Sequence, residues 1–267
     1  GTPIGLQSAP FKMNSFDTLF LDEAGQCLEP LAWCIFPFAK RYVLAGDHLQ
    51  LPPTVLSDEA NRLGFSTSIL EACIPSIAEV YLLDTQYRMR KAIAGFSSDY
   101  FYNSLLQTPA HLQNISQHIH FYDTAGMGYE EQHGSDGTSL QNEGELLLAS
   151  KIMELEKWVM HESAFISPYA AQVALAKNHF PSSMRVSTID SFQGQEKKNI
   201  LLSLVRSNDQ CQIGFLQDYR RMNVALTRAK ETLIVIGDSA TLGKHPFYQQ
   251  FLSYVEKHGV YTSGWEF

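Results

Sequence analysis

The chain has 267 residues, 45% of them apolar and 18% charged, so it can bury sizeable cores and falls in neither the disordered nor the collagen-like class. Twenty Lys and Arg against 28 Asp and Glu leave a net charge of −8, which excludes a wholesale basic nucleic-acid coat but not a local basic track. No apolar run approaches the roughly 18 residues of a membrane span.

In chain order, short apolar runs alternate with helical patterns. This predicts βαβ units and a mostly parallel sheet in an α/β fold. The predicted strands are Phe16–Leu21, Tyr42–Ala45, Glu79–Leu83, Ile119–Tyr122, Ala164–Ser167, Arg185–Thr188, Ile200–Val205 and Leu233–Ile236. Several are continuously apolar, as strands covered on both faces are. A helix-like stretch covers Thr67–Ile74, and a domain joint near Pro75–Ala78 divides the chain into 1–77 and 78–267. Asp123–Gln141, with four glycines, reads as a long loop. The clearest helix starts at Asn142, with Glu145 in capping-box position and Leu148, Ile152, Leu155 and Val159 on one stripe. Another spans about Asp218–Ala229. Phe96, Tyr100, Phe101 and Tyr102, at helical spacing beside Ile93, read as packing rather than as a nucleic-acid platform.

Gly1-Thr2-Pro3 has no initiator Met and no basic n-region, so no secretory signal is visible. Cys27, Cys34, Cys73 and Cys211 form no CxxC pair and fit the reduced thiols of a cytoplasmic or nuclear protein, not a secreted one. Neither they nor the nine His complete a ligand set at recognised spacing, so no structural metal is expected.

Five segments carry chemistry. Leu19-Phe20-Leu21-Asp22-Glu23-Ala24-Gly25-Gln26 ends an apolar strand in two carboxylates, where α/β proteins bind ligands. In nucleotide hydrolases the first acid of such a pair holds Mg²⁺ and the second can orient water; a solvated strand end with a capping acid would look the same. Gly46-Asp47-His48-Leu49-Gln50-Leu51-Pro52-Pro53 opens another strand end into a stiff loop, in which the Gln50 amide could touch both a γ-phosphate and a water. In Gln86-Tyr87-Arg88-Met89, the planar fork of Arg88 suits bidentate phosphate contact. Ser187-Thr188-Ile189-Asp190-Ser191-Phe192-Gln193-Gly194-Gln195-Glu196 sets hydroxyls and backbone donors at a strand end, suited to a nucleic-acid phosphate, with Glu196 able to accept a ribose hydroxyl. Arg220-Arg221-Met222-Asn223-Val224-Ala225-Leu226-Thr227-Arg228-Ala229-Lys230 places Arg221 and Arg228 seven apart, so they are expected to share a helix face. For any one of these arginines a surface salt bridge is the commoner outcome.

In this order the segments resemble the motifs of superfamily 1 helicases, in the Upf-like branch. DEAGQ resembles motif II, GDHLQLPP motif III, QYRM motif IV, SPYAAQ (Ser167–Gln172) motif IVa, STIDSFQGQE motif V and RRMNVALTRAK motif VI. The resemblance runs from about Gly5 to Asp238. It implies a RecA-like, P-loop NTPase-type motor domain plus the remnant of a second, driven by ATP and Mg²⁺ along single-stranded DNA or RNA, in the 5′-to-3′ direction. By the same resemblance Asp22 binds Mg²⁺, Glu23 is the catalytic base, Gln50 senses the γ-phosphate, and Arg88 and Arg228 are arginine fingers. Glu196 and Gly194 fall at the nucleotide, with Glu196 on the ribose and Tyr87 against the adenine. Ser167, Tyr169 and Thr188 face nucleic acid.

One part of the pattern is absent. The phosphate-cradling GxxxxGK[ST] that such enzymes carry before motif II does not occur among the 21 residues preceding Asp22. Gly237-Asp238-Ser239-Ala240-Thr241-Leu242-Gly243-Lys244-His245 imitates it, but with five residues between its glycines and His245 where a hydroxyl belongs, and reads as a strand-to-helix turn. The expectation is therefore the carboxy-terminal part of a longer helicase, inactive alone, with an apolar sheet edge near Phe16–Leu21 that promotes self-association. A non-hydrolysing module that binds nucleic acid or a partner is the alternative. QYRM is also followed by Arg90-Lys91 where the family usually has His-Pro.

Position resolves the acidic balance. Residues 86–91, 193–199 and 218–230 hold nine of the 20 Lys and Arg but only Glu196 and Asp218 as acids, so positive charge collects in the motifs.

Overall fold

A computed structural model describes residues 1–7, 15–77, 79–113, 118–135 and 137–266. They divide into two compact units, Gly1–Leu82 and Leu83–Phe267. Ala78, at the joint expected from the sequence, lies outside the described residues.

The first unit runs α1 (Pro3–Leu6), β1 (Phe16–Leu21), α2 (Glu29–Trp33), β2 (Ala39–Leu44), α3 (Asp58–Arg62) and α4 (Ile69–Cys73). β1 and β2 pair in parallel, from Phe16 opposite Ala39 to Leu21 opposite Leu44. Leu19, Leu21, Ala24, Ala32, Ile35, Ala39 and Ile69 form its core. One face of β1 stays open: Phe20 is 74% exposed. β2 begins three residues before the predicted Tyr42 because Lys40 and Arg41 join the ladder with solvent-facing side chains, which an apolar-run criterion passes over. Ser68 caps α4 by accepting from Glu71 N at 3.1 Å, so the helix falls within the predicted Thr67–Ile74.

The second unit holds α5 (Lys91–Phe101), β3 (Ile119–Asp123), β4 (Gln132–His133), β5 (Leu140–Gln141), α6 (Glu143–Leu155), β6 (Ser163–Ser167), α7 (Ala170–His179), β7 (Arg185–Thr188), β8 (Lys197–Ser203), α8 (Tyr219–Leu226), β9 (Ala229–Gly237), α9 (Ser239–Leu242), α10 (Pro246–His258) and β10 (Val260–Ser263). Six strands form one sheet, in the order β10-β3-β9-β8-β6-β7, and every pairing is parallel. Both faces of the central strands β9, β8 and β6 are covered, which is why these read as continuous apolar runs. α6 and α7 cover one face through Leu148, Ile152, Met153, Val173 and Ala176 against Phe165, Leu201, Ile234 and Ile236. On the other face Phe96 of α5 meets Phe247 and Phe251 of α10 edge-on at 5.3 and 5.1 Å, and Phe251 also meets Phe121 of β3. The aromatic cluster at residues 96–102 is therefore packing, as its spacing predicts.

Several expectations need correction. No strand forms over 79–83, because pairing begins only at the single bridge of Thr85 with Gln107. β8 ends at Ser203 rather than Val205, since Val205 takes a left-handed φ of 71°. The predicted apolar stripe on α6 stops early: Leu148 and Ile152 are buried, but Leu155 is exposed and Val159 lies beyond the helix end. Glu145 does not complete a capping box, because its carboxylate turns to β8 and the Asn142 N–H donates to Gln172 Oε1 at 2.8 Å. The long loop 123–141 contains the β4–β5 hairpin. α8 ends at Leu226, so Arg228 is off the helix and shares no face with Arg221. The segment after β9 is a strand-to-helix turn, capped by Asp238 accepting from Ala240 N at 2.8 Å.

Candidate nucleotide and nucleic-acid sites

In the first unit, the loops after β1 and β2 are clasped backbone to backbone. Ala24 N donates to Ala45 O at 2.8 Å, and Ala45 N to Leu21 O at 2.9 Å. Gly25 permits this approach: a Cβ there would lie 2.5 Å from the Asp47 carbonyl oxygen. Asp22 and Glu23 emerge exposed from the clasp. Glu23 has φ 53°, a left-handed conformation costly for a non-glycine residue and typical of constrained functional turns. Its carboxylate accepts from Gln26 Nε2 at 2.8 Å, and Asp22 Oδ1 accepts from Glu23 N at 3.0 Å. In the neighbouring loop Asp47 accepts from Leu49 N at 2.9 Å and from Gln50 Nε2 at 2.8 Å, so Gln50 is pinned to the turn that carries it. Asp22, Glu23 and Gln50 thus sit on two joined loops at the carboxyl ends of two parallel strands.

In the second unit, parallel strands put the candidate residues on opposite edges of one sheet. Glu196 precedes β8, Arg228 precedes β9 and Lys230 lies at its start, so these belong to the amino edge. Arg88 joins them: its Nε donates to Glu196 at 2.6 Å and its Nη1 to the Thr227 carbonyl at 3.0 Å. Lys230 pairs with the other Glu196 oxygen. The Lys230 contact, aided by Arg88, holds the Glu196 carboxyl below its ordinary range. Gln86 shapes the turn that aims Arg88, its Oε1 accepting from Arg88 N at 3.0 Å and Met89 N at 2.8 Å. Arg90 N bonds to Lys230 O at 3.0 Å and docks the segment to β9, so Arg90-Lys91 in place of His-Pro leaves the Arg88 turn formed. Arg228 is only 3% exposed and donates to Val224 O at 2.9 Å and Thr227 Oγ1 at 3.0 Å. Tyr87 is exposed. Gly194 takes φ 72°, which its turn needs and which favours glycine.

The carboxyl edge carries the other set. Thr188, half-buried at the end of β7, is hydrogen-bonded to Ser191 Oγ at 3.0 Å. Arg221 bridges Asp190 and Asp218, at 3.1 Å each, and so ties motif VI to motif V here rather than to Arg228. Ser167 and Tyr169 are buried. Tyr169 is 2% exposed, with its hydroxyl donating to Ile213 O at 3.4 Å, so neither side chain presents itself at the surface. Seven residues of β8 at about 3.3 Å each separate the two edges by roughly 20 Å.

Sequence reading passed over a buried network behind this edge. Glu145 accepts from Ser203 Oγ at 2.6 Å and from Val205 N at 3.0 Å, while Asn142 Nδ2 donates to Val205 O at 3.1 Å. Gln172 Nε2 donates to Asn142 O at 3.0 Å and to Ser203 Oγ at 2.9 Å. Together they hold Val205 in a tight turn, closed by Arg206 N on Leu204 O at 2.8 Å, an arrangement rare and strained for a β-branched residue. Burial pushes the Glu145 carboxyl up to about 8, against the pull of the Ser203 and Val205 donors. The turn hands on Arg206, which is buried and ion-paired with Glu131 at 2.8 Å. The position of Glu145 after a cap residue was legible, but its long-range partners were not.

A family model described as an AAA domain matches residues 65–240, and another with the same description matches residues 2–58. DNA-binding protein SMUBP-2 of Mesocricetus auratus is 35% identical over 277 residues, covering 95% of this chain and 28% of that protein. DNA polymerase alpha-associated DNA helicase A of Schizosaccharomyces pombe is 35% identical over 285 residues, covering 96% and 42% respectively. Regulator of nonsense transcripts 1 of Dictyostelium discoideum is 33% identical over 291 residues, covering 98% and 21%. The chain thus spans between about a fifth and two fifths of the length of these relatives. With its parallel sheet and six motifs in order, it belongs to the AAA-domain family of Upf-like superfamily 1 helicases.

Proposed function

We propose that this chain supplies part of the motor of an ATP-dependent helicase or translocase, moving on single-stranded DNA or RNA, 5′ to 3′. The observation that carries the reading is the charged set at the amino edge of the six-stranded sheet. Arg88, Glu196 and Lys230 are interlocked there, with Arg228 one residue before β9. This donor set fits a nucleotide: Glu196 can accept a ribose hydroxyl, and the partly exposed planar guanidinium of Arg88 can span two phosphate oxygens. On the first unit, the exposed carboxylate of Asp22 suits Mg²⁺, which keeps most of its waters and takes its remaining ligands from phosphates.

Bound ATP with Mg²⁺ would supply the transferable phosphoryl group. The residues of this chain would do the rest: Glu23 orients the attacking water and takes its proton, Gln50 reports the γ-phosphate, and Arg88 and Arg228 stabilise developing charge, a contribution of roughly 10³- to 10⁵-fold for a finger. Exchange of the Glu196 partner from Arg88 to ribose would release that arginine toward phosphate. Gly194 and Tyr87 belong to the same nucleotide subsite. Thr188 belongs to the nucleic-acid edge, with Ser167 and Tyr169 supporting it from beneath. The names of two relatives specify DNA. Among the described residues no helix is long and apolar enough to cross a membrane. The open face at Phe20 supports self-association.

The test is ATP hydrolysis by the gene product that carries this sequence, with and without single-stranded DNA or RNA. Glu23→Gln or Arg228→Ala should each reduce nucleic-acid-stimulated turnover by at least about 10³-fold. The 267 residues alone contain no GxxxxGK[ST] and should hydrolyse nothing above background. Turnover indifferent to both substitutions would discard the motor reading in favour of a binding module.

A further inference from the structure

The segment joining β8 to α8 presents an aromatic ring at the carboxyl edge that no motif of the sequence accounts for. Phe215 is 61% exposed, although its neighbours Ile213 and Leu216 are fully buried. Its backbone is fixed from several directions in the short 3-10 turn Gly214–Gln217. Leu216 N donates to Ile213 O at 3.0 Å and Asp218 N to Phe215 O at 3.2 Å. The Tyr248 hydroxyl holds Leu216 O at 2.8 Å, and the Tyr169 hydroxyl holds Ile213 O at 3.4 Å. Gly214 is required beneath it: φ is 51°, and a Cβ would lie 2.5 Å from Arg206 Nη1. The Phe215 ring leans on the buried Tyr169 ring, with centroids 5.8 Å apart and planes at 59°, leaving its outer face to solvent.

Position and exposure argue for a ligand with flat rings. Tyr169 follows β6 and Arg206 follows β8, so Phe215 stands over the middle of the sheet, on the edge that also carries Thr188 and Arg221. Trp265, also exposed, follows β10 at the outer strand instead, and Tyr87 belongs to the opposite edge. A rigid exposed ring avoids the ordering cost a mobile one would carry, and its free face suits stacking against a flat base.

We propose that Phe215 is a stacking platform for one base of a single-stranded nucleic acid crossing the carboxyl edge of the six-stranded sheet. This rests on the nucleic-acid part of the proposed function. Tyr169 then acts from below, as the support of the ring that touches the base.

Fluorescence anisotropy of this chain with labelled oligo(dT) and oligo(U) of about 15 nucleotides tests it. Phe215→Ala should weaken binding by about 5- to 150-fold, the equivalent of one lost stack, with the salt slope unchanged because no phosphate contact is lost. Phe215→Tyr should restore wild-type affinity, and an oligonucleotide with abasic positions throughout should bind wild type and Phe215→Ala equally. Wild-type binding that Phe215→Ala leaves intact, or an abasic strand that still distinguishes the two, would overturn the stacking role while sparing the nucleic-acid reading. No binding by wild type to either oligonucleotide would remove both for this chain.

Discussion

Glu145 is a carboxyl whose chemistry departs far from its ordinary state. It is enclosed behind the carboxyl edge with Asp238 as the further acid that raises it, and its carboxyl titrates near 8 instead of 4.5. The folded state therefore prefers the protonated form. Its contribution to stability is fully present below about pH 4.5 and is lost as pH rises toward 8, by up to about 1.4 kcal/mol per pH unit. Chemical denaturation between pH 5 and 8 should show stability falling with pH in wild type, and Glu145→Gln, which cannot ionise, should flatten that slope. An unchanged slope would mean that Glu145 titrates normally. The exposed pairs behave differently. Arg88, Lys230 and Glu196 are each roughly a third to a half exposed, so their ion pairs contribute little to stability and are better placed for exchange with a ligand.

The clasp between the loops following β1 and β2 depends on a backbone approach that a single methyl group would block. Gly25→Ala would drive a Cβ against the Asp47 carbonyl, which cannot swing aside as a side-chain tip can. Overpacking of this kind costs about 1–3 kcal/mol. It should appear as a lower denaturation midpoint of the first unit, with the second unit unmoved, when the two are followed by amide hydrogen exchange. In the second unit, Gln172 at the start of α7 links the beginning of α6 to the end of β8 through paired bonds to Asn142. Three elements distant in sequence thus share one polar fastening, and the strained Val205 turn sits where they meet.

Among the described residues, the core of the first unit around Leu19, Leu21 and Ile69 shares no residue with the core of the second around Phe165, Leu201 and Ile234. The first backs a sheet of two strands and the second a sheet of six, so the first has far less apolar burial to offset chain entropy. Thermal unfolding should resolve two transitions, the earlier one belonging to the first unit and shifted further down by Gly25→Ala. A single transition in which both units lose protection together would contradict this independence.

Strand identity was legible where apolar runs are buried on both faces, as at β6, β8 and β9, because continuous burial leaves a continuous apolar record. So was the α/β class, and so was the family, since six motifs in order depend on residue type and spacing alone. The ends of elements were not, because the partners that set them are distant: Glu145 stops β8, and the lone Thr85–Gln107 bridge replaces an expected strand. Nor could spacing reveal that Arg221 and Arg228 part company, since that follows from where α8 ends. Residue chemistry by itself determined which groups could meet a phosphate, a ribose or a metal. Only the parallel sheet decided which of them stand together, because strand direction sends Arg88, Glu196 and Arg228 to one edge and Thr188, Arg221 and Phe215 to the other.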